Sequence, residues 1–247
     1  MARRLRISRG GVAYHVINRA VGRSMLFEHE LDLAAFEKAL AQACEQYPSI
    51  RLLSYVVMHN HWHLVLWPAA VGVLSPFMQW LSVTHMRRWH AHHHSVGTGP
   101  IYQGRFKSFP IQEDHHLIRV CRYVERNPVR AGLVDRAQNW QHGSLSQRLL
   151  SAPPSWLLPP EDWPVRLPPD WPDRVNRVET AAELAALHRS VNRGQPYGDA
   201  DWQGRTARRL GLQSSLRDPW RPKATKRPAA TAKGQTRTER DEAPAES

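Results

Sequence analysis

The chain has 247 residues, 41% hydrophobic and 23% charged, enough to bury a full core as one domain or two. Lys plus Arg number 34 against 22 Asp plus Glu, a formal net charge of +12. So large a surplus points to a polyanionic partner, since surface cations gain affinity by releasing counterions from nucleic acid. Two cysteines, Cys44 and Cys121, exclude a disulfide framework, the basic N-terminus lacks the apolar core of a signal peptide, and no run reaches the about 18 apolar residues of a membrane span; a cytoplasmic protein without a membrane partner is expected.

In chain order, residues 11–19 read as a first strand. A helix over 31–46 follows, with Leu33, Phe36, Leu40 and Cys44 on one stripe, and Pro48 ends it. Residues 50–58 and 61–67 are rich in β-branched, aromatic and aliphatic side chains, and only His59 and Asn60 separate them. This predicts a hairpin with a two-residue turn, in which Asn tolerates the left-handed backbone such turns demand. A second helix is predicted over 74–91, a fourth strand over 101–111, and a third helix opened by Glu113 and Asp114 where the helix dipole favours acids. Pro128 disfavours helical geometry at Asn127, so this helix should stop near Arg126. The order βαββαβ plus one helix predicts an α+β, ferredoxin-like antiparallel sheet. Its two crossover helices would cover one face and leave the other to the last helix.

Two motifs on these elements carry chemistry. Alternate strand residues share a face, so His61 and His63 project together while Trp62 packs the other way. Residues four apart share a helix face, so Tyr123 and Asn127 also project together. Two imidazoles and an amide oxygen can hold a divalent cation, and a tyrosine hydroxyl beside it can attack a phosphate. Arg119, Arg122, Arg126 and Arg130 recur at spacings of three and four, and Arg105 and Lys107 flank Phe106, so these six are candidate DNA-binding residues.

The His-x-His triplet, the downstream Tyr-x-x-x-Asn-Pro and the linking segment YQGRFKSFPIQEDHHLIRVCRYVERNPVRAGLV resemble the single-tyrosine transposases of the HUH endonuclease superfamily, most of all the REP-associated tyrosine transposases. The resemblance spans roughly residues 9–150. It implies that Tyr123 is the catalytic nucleophile, that His61, His63 and Asn127 are metal ligands, and that the ion is Mg²⁺ or Mn²⁺. It further implies that single-stranded or hairpin DNA, repetitive extragenic palindromes included, is nicked and rejoined through a 5′-phosphotyrosine for transposition, with a homodimer allowed. The residue two before the first histidine is commonly proline in such sequences and is His59 here. The hairpin register puts His59 in the turn and favours His61 and His63. The rival readings are a non-catalytic DNA-hairpin-binding regulator of the same fold and a zinc hydrolase of small substrates.

Beyond a transposase-like domain over 1–150, residues 151–172 hold eight of the 19 prolines with Trp156, Trp163 and Trp171, a connector expected to pack its tryptophans on the domain. Residues 173–212 read as a small helical appendage. Thr180 and Glu183 form a capping box before one helix, and residues 200–210 form a second. Residues 213–247 read as a basic, disordered tail. A run of histidines at 90 and 92–94 is a weaker metal candidate without a carboxylate near it in sequence.

Overall fold

The computed structural model describes residues 8–217, and the predicted tail beyond 217 lies outside the described residues. Four strands, β1 (Ala13–Arg19), β2 (Ile50–Met58), β3 (His61–Pro68) and β4 (Lys107–Ile111), form one antiparallel sheet in the order β2-β3-β1-β4. Helix α1 (Glu30–Gln46) joins β1 to β2, and α2 (Leu74–His92) joins β3 to β4. This is the ferredoxin-like βαββαβ arrangement.

Period-two alternation sorts the strands between two cores. Tyr14, Val16, Trp62, Leu64 and Leu66 pack under α1 and α2 with Phe36, Leu40, Phe77 and Leu81. Ala13, Val56, Val65, Phe109 and Ile111 face α3 (His115–Glu125) on the other side with Val120, Cys121 and Val124. The register shift between Leu52 and Ser54 is a bulge that turns both Leu53 and Ser54 toward α3. Each large side chain taken wholly out of water contributes about 1.5–3 kcal/mol.

Three sequence expectations change in detail. The two-residue turn holds, since Met58 pairs with His61, yet neither His59 nor Asn60 has positive φ. The turn is held from outside: Leu26 and Phe27 N–H donate to the His59 carbonyl at 2.8 and 2.9 Å, and Ala20 N–H donates to that of Asn60 at 2.9 Å. Strand β4 is half the predicted length. Residues 101–106 leave the ladder after one bridge, Ala20 to Tyr102, because the Tyr102 hydroxyl is drawn into the first core, accepting from Trp62 Nε1 at 3.1 Å and meeting His85 Nδ1 at 2.7 Å. Helix α3, capped by Asp114 accepting from His116 N–H at 2.7 Å, ends at Glu125, and a separate turn, α4 (Asn127–Arg130), follows. Pro128 fits the first turn of α4, where its missing N–H is not needed.

The remaining described residues, as far as 217, wrap the α3 face. Helix α5 (Ser144–Arg148) and α6 (Trp171–Asn176) pack beside α3; α7 (Ala181–Arg193), α8 (Ala200–Leu210) and α9 (Gln213–Leu216) follow. Thr180 and Glu183 make the predicted capping box on α7, with bonds of 3.0 and 3.2 Å. Trp163 and Trp171 are buried in the second core, while Trp156 lies against the first. The segment before α8 covers the β4 edge: Tyr197 N–H donates to the Pro110 carbonyl and Gln112 N–H to that of Tyr197, both at 2.9 Å. Among the described residues no helix is long and apolar enough to cross a membrane.

At the centre of this packing sits the wholly buried Glu125 carboxylate. Its Oε1 accepts from Ser54 Oγ at 3.1 Å, Ser144 Oγ at 2.5 Å and Arg148 Nη1 at 2.9 Å, and its Oε2 accepts from Trp171 Nε1 at 2.7 Å. Glu125→Gln leaves the Arg148 guanidinium buried without its counter-charge, so it should lower unfolding stability by about 3–5 kcal/mol in urea denaturation. Asp173→Asn, at the exposed end of an ion pair with Arg136, should leave the midpoint within error.

Candidate active site

The strand register decides what faces α3. His61 pairs with Arg19 and His63 with Ile17 across β3 and β1, and both histidines open on a cavity of about 960 Å³. Tyr123 from α3 and Asn127 and Arg130 from α4 line the same cavity. So do Arg105 and Lys107 at the mouth of β4, opposite in facing to the buried Phe106 between them. The α3–α4 break keeps Asn127 one turn beyond Tyr123, and Asn127 Nδ2 donates to the Tyr123 and Val124 carbonyls at 3.1 and 3.3 Å. Its amide oxygen is left for another partner.

Both imidazoles are engaged through Nδ1. His61 Nδ1–H donates to Asn60 Oδ1 at 2.6 Å, and His63 Nδ1 lies 2.8 Å from Nε2 of His15. Each therefore has Nε2 left as the nitrogen that can ligate. Burial, then the charges of Arg19 and Arg130, pulls His61 down to about 4. Burial, followed by His15, His61, Arg130 and Arg19, holds His63 well below the ordinary imidazole value. Both are neutral at pH 7, the form a cation needs. Two neutral imidazoles with an amide oxygen form a donor set that fits a divalent ion. Groups of histidine with carboxylate occur elsewhere, Asp32 with His92 and His93 and Asp114 with His115 and His116. Their carboxylates already cap: Asp32 accepts from the Glu28 and His29 N–H groups at 3.1 and 3.0 Å, and Asp114 caps α3. The histidine run does gain a carboxylate in space, His93 Nε2 reaching Asp32 at 3.1 Å, while His90 is occupied by Ser95 and Gly99 at 2.9 Å each. His59 stays in the turn against Phe27 and Trp140, outside the cavity.

Tyr123 is 5% exposed. Its ring meets the edges of His63 and His188 at 5.8 and 6.1 Å, and the Arg130 guanidinium lies 4.3 Å over it. Burial raises its hydroxyl above the usual phenol value, Arg130 and Arg19 oppose that rise, and Glu179 adds to it. The arginine stripe divides. Arg119 and Arg122 face Glu183 at 3.7 and 3.9 Å. Arg126 lies near Glu179 at 3.6 Å and donates to the Val175 and Asn176 carbonyls at 3.2 and 2.5 Å. Arg130 pairs with Glu179 at 2.9 Å while also lining the cavity. These glutamates precede and open α7, so all four arginines pair with the C-terminal segment, and of the four Arg130 alone also lines the cavity.

Several residues of the site carry no motif: Asn18 and Arg19 on β1, Gln103 beside the mouth, and His188 and Asn192 on α7 line the cavity, and His15 stands behind His63. Strand alternation on β1 signals two of them, since His15 and Arg19 share the facing of Ala13, a residue of the second core. The α7 pair has no such signal, because its contact with the site depends on how the connector folds back.

The family described as transposase IS200-like matches residues 8–127. A Haemophilus influenzae protein described as a REP-associated tyrosine transposase is 23% identical over 136 residues, 52% of this chain and 74% of that one. Among solved structures, a REP-associated tyrosine transposase bound to a REP hairpin is 18% identical with a TM-score of 0.48, over 64% of this chain and 90% of its own. A transposase crystal structure from Deinococcus radiodurans is 19% identical with a TM-score of 0.34, over 50% of this chain and 96% of its own. Residues 8–127, just under half of the chain, hold the His-x-His strand, the Tyr123 helix and Asn127, and it is this part that is similar to the IS200-like transposase family.

Proposed function

We propose that this chain is a divalent-metal-dependent DNA strand transferase that nicks and rejoins single-stranded or hairpin DNA through Tyr123. The observation that carries the reading is the meeting of His61, His63, Tyr123 and Asn127 at one cavity lined by Arg19, Arg105, Lys107 and Arg130. His61 and His63 through Nε2, with the Asn127 amide oxygen, would hold Mg²⁺ or Mn²⁺. When bound, such an ion polarises the scissile phosphate and offsets the charge that develops on it.

The protein's own groups do the rest. Arg19, Arg105 and Lys107 receive flanking phosphates and set the strand across the sheet face. The Tyr123 oxygen forms a bond to phosphorus as the bond to the 3′-oxygen breaks. The phenol proton is released, the 3′-oxygen takes one up, and a 5′-phosphotyrosine remains. A free phenol titrates near ~10, and burial makes its proton harder still to lose. The guanidinium of Arg130 over the ring favours the phenolate and so the attack. A second 3′-hydroxyl reverses the step and joins a new strand. A REP sequence, the element in the name of the Haemophilus influenzae relative, is the first DNA to test.

Incubated with end-labelled hairpins and Mg²⁺ or Mn²⁺, the protein should give a covalent band on a denaturing gel. Tyr123→Phe should abolish it, a loss of roughly a thousandfold or more, with DNA affinity kept. A joint His61→Ala, His63→Ala change should remove metal-dependent cleavage. Tight binding with no covalent band under either metal would instead make the chain a DNA-hairpin-binding regulator.

The depressed imidazoles give a second test with a definite sign. An ordinary pair near ~6.5 would lose about tenfold in metal affinity per ligand on going from pH 7.5 to 5.5. With His61 held at about 4 and His63 also low, Mn²⁺ affinity should change by no more than about twofold over that interval and fall only nearer pH 4. A steep loss between pH 7 and 6 would show that the two imidazoles titrate as ordinary ones and that their burial does not hold them neutral.

A further inference from the structure

We infer that His15 is the positioning residue for His63, supplying the hydrogen-bond acceptor that fixes the ring and leaves its Nε2 free for the metal. The inference rests on the strand-transferase reading. His15 sits mid-strand on β1, opposite Val65, and its ring is wholly buried, stacked on Phe109 at 4.8 Å. Burying an imidazole costs free energy that Leu or Phe would not. Its hydrogen-bonding capacity is spent on one contact, Nε2 to His63 Nδ1 at 2.8 Å. Its other nitrogen, Nδ1, is buried without a partner. A side chain chosen only to fill the space would not leave a polar atom stranded there.

The proton in that contact decides what His63 can do. Both rings are buried, where the charged form is the costly one, so two neutral imidazoles share one proton across the 2.8 Å contact. If His15 Nε2–H donates, the His63 proton sits on Nε2, the nitrogen facing the cavity, and that nitrogen cannot ligate. If His63 Nδ1–H donates, its Nε2 lone pair is exposed and the His15 proton sits on the stranded Nδ1. The ligating state therefore requires His15 to accept. Asn60 does the same for His61, and its Oδ1 can only accept. The two ligands are thus set by two different devices, a fixed one on His61 and a two-way one on His63. Outer partners of this kind hold a metal-bound imidazole in one tautomer and orientation.

The test uses the full chain and Mn²⁺, whose free concentration is read by electron paramagnetic resonance. His15→Leu removes the acceptor and should weaken Mn²⁺ binding by about 10- to 100-fold. His15→Gln, whose Oε1 reaches the place of the imidazole Nε2, should recover affinity to within about fivefold of wild type, with the same thermal midpoint as His15→Leu or lower. Equal loss in both variants would mean that packing alone is at stake and overturns the inference. A His15→Leu protein that binds as wild type, while His63→Ala does not bind, overturns it too and leaves the strand-transferase reading standing. A His63→Ala protein with full affinity overturns the ligand assignment itself. Should His15→Leu fail to fold, ¹⁵N-histidine spectra of the wild-type protein loaded with Zn²⁺ decide the matter. The inference expects protons on Nδ1 of both His63 and His15; a proton on His15 Nε2 overturns it.

Discussion

The buried carboxylate of Glu125 is the constraint on which the site depends. It stands two residues past Tyr123 and two before Asn127, and its four hydrogen bonds reach β2, α5 and α6. A helix lying on a sheet through apolar contacts alone can slide or rotate by a fraction of a residue at little cost, since such contacts are non-directional. A wholly buried charge cannot: displacing it breaks hydrogen bonds that no water replaces. The angular setting of α3, and with it the reach of Tyr123 toward His63, is fixed by directional bonds and only cushioned by the apolar core.

The same contact explains why residues far outside the family-matched region take part in the site. Ser144, Arg148 and Trp171 complete the carboxylate's shell, and the segment that carries them leads on through Glu179 to α7, which contributes His188 and Asn192 to the cavity wall. Residues 151–202 hold 8 Asp plus Glu against 5 Lys plus Arg, and two of those acids, Glu179 and Glu183, lie on the arginines of α3 and α4. The basic surplus is therefore not spread evenly over the tyrosine helix. Among the lining cations, Arg19, Arg105 and Lys107 come from the sheet side, where a strand laid over the histidines would pass.

How much of this could be read in the sequence follows from the range of each interaction. The His61–His63 facing and the Tyr123–Asn127 spacing are local periodicities, so the strand and helix repeats exposed them, as they did the capping box at Thr180. The α3–α4 break was legible at Pro128, though not that the chain would re-enter a helical turn at once. The arginine stripe was legible as a stripe, but its partners stand about 50 residues downstream beyond a proline-rich connector, and no pattern near the arginines announces them. The early end of β4 was hidden for another reason: Tyr102 leaves the ladder for partners on β3 and α2, a tertiary preference that overrides strand propensity. Glu125 was missed because an acid on an amphipathic helix ordinarily faces water, and only the Ser, Arg and Trp donors brought from three other elements make its burial tolerable.

The two faces of the sheet show what a polar site costs such a fold. On the α1–α2 face, alternation gives an unbroken apolar layer from Tyr14 to Leu66, with Trp62 at its centre. On the α3 face the corresponding positions at this end of β1 and β3 are His15, Arg19, His61 and His63, four polar side chains where a core would place Val or Ile. The rings stay neutral because burial disfavours their charge, which removes the largest part of the desolvation cost. For His61 and His63 what is left is met by pairing Nδ1 with Asn60 and His15 and by opening Nε2 to the cavity, while His15 keeps one buried nitrogen without a partner. Stability and metal affinity thus pull in one direction: the uncharged imidazole is both the cheaper group to bury and the one that can ligate. The protonated phenol of Tyr123 is likewise the cheaper form to bury, but it is the poorer nucleophile, so the tyrosine needs the cation over its ring where the histidines need none.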